Sequence, residues 1–250
     1  KQFVLVGSND GMLHAFHSGS YVSGAAFQAE YDLGSGEELW AFIPPDMMPK
    51  LVRYMLGSRH ELLVDGTPMV RDIWADGSGA TAADYVKQSD EYHTIAVVGE
   101  REGGRHYFAL DVTNPAVAPT FLWSFPEPGV TAGIAMGQTW NDLGPNAPPI
   151  GAIAELDSSG PLTVGGQAAK ERFIVAFGGG YDPAYLRGRS IHFVDAWTGA
   201  QVFRYARVDA SFPGDPRLNL HSVAAPVSMI DTDSDGLFDY SVVGDVAGQV

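Results

Sequence analysis

The chain has 250 residues, 45% of them hydrophobic, which is enough apolar material for a folded core. Its formal net charge of −15 argues against nucleic acid binding, because phosphate contacts need a basic surface, and against polybasic attachment to anionic lipid. No cysteine is present, so a disulfide framework and a thiol catalyst are both excluded. No apolar run reaches the roughly 18 residues of a membrane span, so we expect no membrane insertion.

Both ends of the sequence read as interrupted strands. The chain begins with KQFVLVGSNDG, a strand entering a turn without a visible signal peptide, and stops inside SVVGDVAGQV. We therefore expect a fragment of a longer protein.

In chain order, short β-branched and aromatic runs broken by glycine and proline predict an all-β protein. Three segments share a strand, a glycine turn, a second strand and then a strand with an aromatic residue. They are 3–17 with 36–42, 94–111 with 120–125, and 173–195 with 200–205. The alignment makes Trp40, Trp123 and Phe203 equivalent, and likewise His17, Asp111 and Asp195.

An extra strand precedes the second and third units, at TPMVRDI (67–73) and PIGAIAEL (149–156). A fourth unit begins with APVSMID (225–231) and continues as FDYSVVGD. A sheet with one buried face cannot stand alone, and repeats of this kind stack radially. The sequence therefore predicts a β-propeller of four-stranded antiparallel blades with long loop insertions.

The predicted organisation is a single propeller domain over 1–250. Its parts are a partial blade at 1–45, an insertion with a short helix at 46–60, blades at 61–126 and 148–207, and a partial blade with an acidic loop at 222–250. Two further insertions, 18–36 and 75–92, are rich in serine, glycine and alanine. We expect both to be exposed surface loops that are candidates for partner contact.

The helix is predicted over DMMPKLVRYML (46–56), where Pro49 stands in the first turn. Its apolar residues fall on one face of a helix, which predicts burial of that face. They are Met48, Leu51, Val52, Met55 and Leu56.

The most informative motif is DTDSDGLFD, residues 231–239, between the first two strands of the fourth unit. Four carboxylates this close repel one another, which favours a bound cation. Aspartates at positions 1, 3, 5 and 9 with glycine at 6 match a calcium loop, in which the carbonyl of position 7 is a further ligand. The predicted Ca²⁺ ligands are Asp231, Asp233, Asp235, the Leu237 carbonyl and Asp239.

The loop differs from a helix-loop-helix calcium site in two respects. Position 12 is Val242 instead of a bidentate glutamate, and strands flank the loop. An acidic, solvated turn without an ion is the alternative interpretation. Our hypothesis is that calcium makes the turn rigid, orders this edge of the propeller and gates contact with a partner.

Other polar and aromatic candidates have structural explanations. His14 and His192 fall at equivalent strand positions, which favours packing over ligation. Trp40 and Trp123 recur in the repeat and are expected to pack between blades. Asp111 and Asp195 are expected to cap turns by accepting backbone N–H bonds.

The unit VSMIDTDSDGLFDYSVVGDVAGQV resembles an FG-GAP-type blade, in which a calcium loop joins the first two strands. With GSNDGMLHAF, GEELWAFIPPDMMPKL, VDGTPMVRDI and YFALDVTNP, the chain resembles the C-terminal propeller domain of the PilY family of type IV pilus tip-associated adhesins and assembly factors. The resemblance covers essentially the whole chain, with little contribution from 127–170. His17 departs from it, because the repeat usually has an acidic residue there.

The resemblance implies a non-enzymatic, quinoprotein-like propeller at the pilus tip on the bacterial surface, exported through the periplasm. It also implies a calcium loop that helps to balance pilus extension and retraction, and hence twitching motility, together with association with minor pilins. Adhesion to a host or abiotic surface would use regions outside this chain.

Two other functions stay open. A generic calcium-binding adhesin of the integrin type would share the loop but not IPPDMMPKL or VDGTPMV. A quinone-cofactor-dependent dehydrogenase has similar repeats and binds calcium, but its cofactor site typically uses an adjacent-cysteine disulfide that this chain lacks. Co-purification with minor pilins tests the first alternative, and oxidation of an artificial electron acceptor tests the second.

Overall fold

The computed structural model describes residues 2–25, 28–57, 61–127, 135–140 and 148–250, so residues 1, 26–27 and 58–60 of the predicted segments lie outside the described residues. The strands are β1 (Gln2–Gly7), β2 (Leu13–Gly19), β3 (Tyr21–Ala25), β4 (Gln28–Tyr31), β5 (Glu38–Phe42), β6 (Met69–Trp74), β7 (Tyr92–Gly99), β8 (Tyr107–Asp111), β9 (Thr120–Phe125), β10 (Ile150–Leu156), β11 (Leu162–Val164), β12 (Gln167–Gly178), β13 (Ser190–Asp195), β14 (Gln201–Ala206), β15 (Ser228–Ile230) and β16 (Tyr240–Val242). One α-helix, α1 (Met48–Met55), lies among the described residues, together with 3-10 turns at Ser89–Glu91, Arg207–Asp209 and Pro216–Asn219. The all-β prediction is confirmed.

The predicted repeat is visible as successive antiparallel sheets. Their strand orders are β1-β2-β5, β6-β7-β8-β9, β10-β12-β13-β14 with β11 on β12, and β15-β16. The extra strands expected ahead of the second and third units are present as β6 and β10. The register repeats as well, pairing Ala15 with Trp40, Ala109 with Trp123, and Phe193 with Phe203. The predicted equivalence of these aromatic positions is confirmed.

The second and third sheets pack on each other through a large apolar core. Tyr107 of β8 stacks on Phe177 of β12 with ring centroids 4.3 Å apart, and both side chains are fully buried. Trp123 of β9 donates from its indole Nε1 to the Ala196 carbonyl at 3.0 Å, which lies just after β13. The predicted packing of this tryptophan between blades is confirmed.

The first and second sheets share a second core. Leu13, Ala15 and Trp40 of the first sheet are buried in one cluster with Val98 and Phe108 of the second. Met47, just before α1, is fully buried in the same cluster. Apolar burial thus holds three successive sheets in a row, as expected for stacked blades.

The predicted helix is confirmed as α1, but the apolar face expected to be buried is largely exposed. Met48, Val52, Met55 and Leu56 are exposed, and only Leu51 of the predicted set packs against the core among the described residues. The physical reason is the rotation of the helix: Met47 and Leu51, four residues apart, form the stripe that faces the core.

The sequence predicts a loop over 18–36, but Tyr21–Ala25 and Gln28–Tyr31 form a hairpin of β3 and β4. Tyr21 and Tyr31 face each other across it with ring centroids 6.0 Å apart. Aromatic cross-strand pairs of this kind stabilise hairpins, which explains the difference. No helix in the described part of the chain has the length and apolar character needed to cross a membrane.

Candidate metal centre

The aspartate loop, residues 231–239, closes the hairpin of β15 and β16. These strands pair Ile230 with Tyr240, and the Asp239 N–H donates to the Ile230 carbonyl at 2.9 Å, so both ends of the loop are fixed by backbone bonds. The loop projects from a sheet whose strands are only three residues long. Its own side chains must therefore supply much of its order.

Three of the four aspartates converge. Asp231, Asp233 and Asp239 each offer a carboxylate oxygen, and these oxygens lie within 4.8 Å of one another. Calcium binds oxygen at about 2.3–2.6 Å, so two ligands on opposite sides of one ion are about 4.6–5.2 Å apart. The spacing of these carboxylates therefore fits a single calcium ion.

The backbone turns around the side chain of Asp231. Its Oδ1 accepts from the Ser234 N–H at 2.7 Å, and its Oδ2 accepts from the Gly236 N–H at 2.9 Å. Ser234 and Gly236 have φ angles of 64° and 91°, in the left-handed region that glycine adopts without steric cost. Glycine at position 6 thus lets the chain wrap round its first aspartate, as the sequence predicts.

The carboxylates of Asp235 and Asp239 are held by different hydrogen bonds. The Asp235 carboxylate lies outside the converging set, and its Oδ1 accepts from the Leu237 N–H at 2.8 Å. Asp239 Oδ2 accepts from both the N–H and the hydroxyl of Thr232. Those two hydrogen bonds lower the pKa of Asp239 below its ordinary value, so this carboxylate is held in the charged form that a cation requires.

The electrostatic balance of the loop favours a cation. No ion pair joins any of its four aspartates to a lysine, arginine or histidine within the part of the chain that the structure describes. Carboxylates with oxygen as the donor atom suit a hard cation such as Ca²⁺ better than a transition metal. The residues present therefore fit the predicted ion.

The loop also docks on the neighbouring sheet, which the sequence analysis did not predict. Leu237 forms a parallel bridge with Ala152 of β10, and the Phe238 N–H donates to the Ala152 carbonyl at 2.8 Å. The Phe238 ring lies over Gly151, where a Cβ would approach its Cε2 to 2.3 Å. The isolated glycine inside PIGAIAEL was the available signal, because such glycines mark close approach of another group.

The remaining sequence candidates do not join this centre. Asp111 Oδ1 accepts from the Thr113 N–H at 2.9 Å, and Asp195 Oδ1 accepts from the Thr198 N–H at 2.8 Å, which confirms their turn-capping role. His192 is buried within the third sheet, with its Nε2 2.8 Å from the Ser190 hydroxyl. His14 lies between Asp10 and Glu38, one on each ring nitrogen.

Comparison with known proteins identifies the relatives of this chain. No protein-family model matches it. The type IV pilus biogenesis factor PilY1 of Pseudomonas aeruginosa is 28% identical over 251 residues, covering 99% of this chain. A PilY1 homologue of Xylella fastidiosa is 27% identical over 254 residues, covering the whole chain. The resemblance to the PilY family is confirmed over nearly the whole chain.

The fold agrees with that relationship. The crystal structure of the P. aeruginosa PilY1 C-terminal domain matches with a TM-score of 0.52 and 23% identity, over 97% of this chain and 36% of that one. That domain is a β-propeller, so the predicted fold class is confirmed. The chain spans 16% of the length of P. aeruginosa PilY1 and 14% of that of the Xylella homologue.

Proposed function

We propose that this chain is part of a non-enzymatic type IV pilus biogenesis factor related to PilY1, and that calcium orders its aspartate loop. The pilus role is supported by the relatives, which are type IV pilus biogenesis factors and align with nearly the whole chain. Calcium is supported by three converging carboxylates that lack a basic partner among the described residues. A surface or pilus-associated location follows from the same relationship.

The contact between loop and neighbouring sheet carries the proposal. Leu237 and Phe238 follow the aspartates directly and dock on β10 through a backbone bond and a ring contact. An ion that neutralises Asp231, Asp233 and Asp239 removes the repulsion that would otherwise spread the loop. Calcium occupancy is thereby coupled to the junction between the third sheet and the last pair of strands.

This coupling gives calcium a place in pilus assembly. A propeller with an ordered last junction presents a fixed surface to pilus-tip partners, for which minor pilins are the proposed class. A disordered junction would present a variable surface and weaken that contact, shifting the balance from pilus extension towards retraction. Adhesion and twitching motility then depend on the loop indirectly, with surface receptors bound by regions outside this chain.

A calcium titration of the 250-residue chain tests the metal part of the proposal. Isothermal titration calorimetry should show one calcium ion per chain in the wild type and none in D233N/D235N, which removes charge while keeping side-chain size. The matched control, E37Q/E127Q, removes two carboxylates outside the loop and should bind calcium normally. Unchanged binding by D233N/D235N would contradict the assignment.

The same substitutions in the full-length protein test the pilus part. Cells carrying D233N/D235N should lose calcium-dependent surface pili and twitching, whereas E37Q/E127Q cells should keep both. The tagged full-length variant should also recover less minor pilin by affinity purification. If cells whose variant protein binds no calcium still make normal pili, calcium binding is not coupled to pilus assembly. The assignment of the calcium ligands would still stand.

A further inference from the structure

A second cluster of ligand-type side chains lies outside the aspartate loop. Asp46 stands just before α1, whereas Glu100 and His106 lie on the turn between β7 and β8, more than 50 positions later in the chain. One ligand atom from each residue lies within 4.8 Å of the others. The cluster joins the helical insertion that follows the first sheet to the second sheet.

The three side chains surround one small space. Asp46 Oδ2 is 3.2 Å from His106 Nδ1, and that nitrogen is 3.8 Å from Glu100 Oε2. Two ligands bound to zinc at about 2.0–2.2 Å in tetrahedral geometry lie roughly 3.3 Å apart. The separations between these atoms are close to that value, so small shifts of the side chains would complete a three-ligand set.

Glu100 supplies independent evidence that the space takes a ligand. Its side chain is fully buried, and its Oε1 has no hydrogen-bond partner among the described residues, although Oε2 accepts from the His106 N–H at 3.1 Å. The Asp46 and Glu100 carboxyl groups also lie within hydrogen-bond distance of each other, a contact that requires a proton or a cation between them. Buried carboxylate oxygens are normally paired, so an orphan in this position calls for a partner.

The backbone keeps this space open. A Cβ at Gly104 would come within 1.6 Å of Glu100 Oε2, so a larger residue there would displace the carboxylate. The turn itself is held by the Thr139 hydroxyl, which accepts from the Glu100 N–H at 2.7 Å and the Arg101 N–H at 3.0 Å. The ligand-bearing turn is therefore anchored before any ion binds, as a preorganised site requires.

We propose that Asp46, Glu100 and His106 form a second metal site, specific for a zinc-type divalent cation. The imidazole nitrogen distinguishes it from the calcium loop, because nitrogen ligands suit zinc and its transition-metal neighbours and not calcium. Three protein ligands leave a fourth position for water. A bound ion would fasten the segment that leads into α1 to the turn of the second sheet.

Lys50 is the competing positive charge. Its Nζ lies 3.4 Å from Asp46 Oδ2 and donates to the Gly103 carbonyl at 2.8 Å. One ammonium balances only one of the two carboxylates when both are ionised. It should, however, weaken zinc binding by repulsion. The K50M variant, which keeps the aliphatic stem, is therefore expected to bind zinc more tightly than the wild type.

Zinc titration against a chromophoric chelator, in excess calcium, tests the site on the 250-residue chain. The wild type should bind one zinc ion, H106A and E100Q should lose it, and D233N/D235N should retain it. H14Q is the matched control, because His14 also contacts two carboxylates but through opposite ring nitrogens, so they cannot share one ion with it. Anomalous diffraction at the zinc edge should place the ion between Asp46, Glu100 and His106.

Three results would overturn the proposal. They are no zinc binding by the wild type, unchanged binding by H106A, and weaker binding by K50M with calcium binding intact. A thermal measurement guards against misfolded variants: H106A, E100Q, K50M and H14Q must each keep the calcium-dependent rise in unfolding temperature, which D233N/D235N should lose. Zinc should add a further rise for the wild type and H14Q but none for H106A, since a ligand stabilises only the state that binds it.

Discussion

The junction between the second and third sheets and the junction between the third sheet and the last strand pair are built differently. The first is an apolar core in which Tyr107 and Phe177 are fully buried and stacked. The second has a small core of three buried apolar residues among those described, Ile174, Ala176 and Val227. Both strands of the last pair are short and largely exposed.

The difference shows how one repeat is stabilised by two kinds of physical interaction. Where large aromatic side chains meet, apolar burial is enough to hold sheets together. Where they do not, the chain relies on a docked ring, backbone bonds to β10 and an acidic loop whose repulsion a cation can cancel. The stability of the junction between the second and third sheets should therefore be independent of calcium. The stability of the junction between the third sheet and the last strand pair should depend on calcium.

The largest expected effect comes from the apolar junction. Phe177→Ala deletes a fully buried ring and should lower the free energy of unfolding by about 3–5 kcal/mol. The loss, measured by urea unfolding followed by tryptophan fluorescence, should be equal in calcium and in chelator. Phe203→Ala removes the same ring from a half-exposed position and should cost much less. A loss at Phe177 that calcium restores would break the comparison.

Acid should weaken the apolar region through His192. Burial, together with the charge of Arg204, lowers the pKa of His192 to about 4 from an ordinary value of 6.5. Between these values the unfolded chain binds a proton that the folded chain does not. The stabilisation is therefore complete above about pH 6.5 and falls by about 3 kcal/mol as the pH drops to about 4.

The test is His192→Phe, because Phe108 stands at the equivalent position of the second sheet. Urea unfolding at several pH values should show a flatter dependence for this variant than for the wild type between pH 6.5 and 4. Parallel curves for the two proteins would show that His192 does not carry the effect.

The smallest effect should come from the junction between the aspartate loop and β10. Gly151→Ala places a Cβ 2.3 Å from the Phe238 ring and should cost about 1–3 kcal/mol while weakening calcium binding. A double-mutant cycle with Phe238→Ala sharpens the test, since removal of the ring should abolish the extra cost of the alanine. Additive effects would show that the two residues do not meet.

Local sequence patterns predicted much of the fold. The alternation of β-branched and aromatic residues with glycine turns located the repeat, and the pairing of Trp40, Trp123 and Phe203 followed from their positions. The spacing of the aspartates likewise predicted a convergence of Asp231 and Asp233 that the structure shows. These features depend on neighbours within a few residues, which a sequence displays directly.

Features that depend on rotation or on distant neighbours were not predictable in the same way. The apolar residues of α1 predicted a buried face. The helix is instead oriented with Met47 in the core, so Met48 and Met55 are exposed. Phe238 contacts Gly151, which lies 87 positions earlier in the sequence. No local pattern at either residue predicts which residue it contacts. The glycine alone signalled that some group approaches it closely.

The sequence by itself determined the β repeat and the position of the aspartate loop, because strand periodicity and residue spacing are local properties of the chain. Only the tertiary structure decided that the loop docks on β10 and that Asp46, Glu100 and His106 share one space. Such contacts arise when separate sheets stack, and the stacking depends on which side chains fill the space between them.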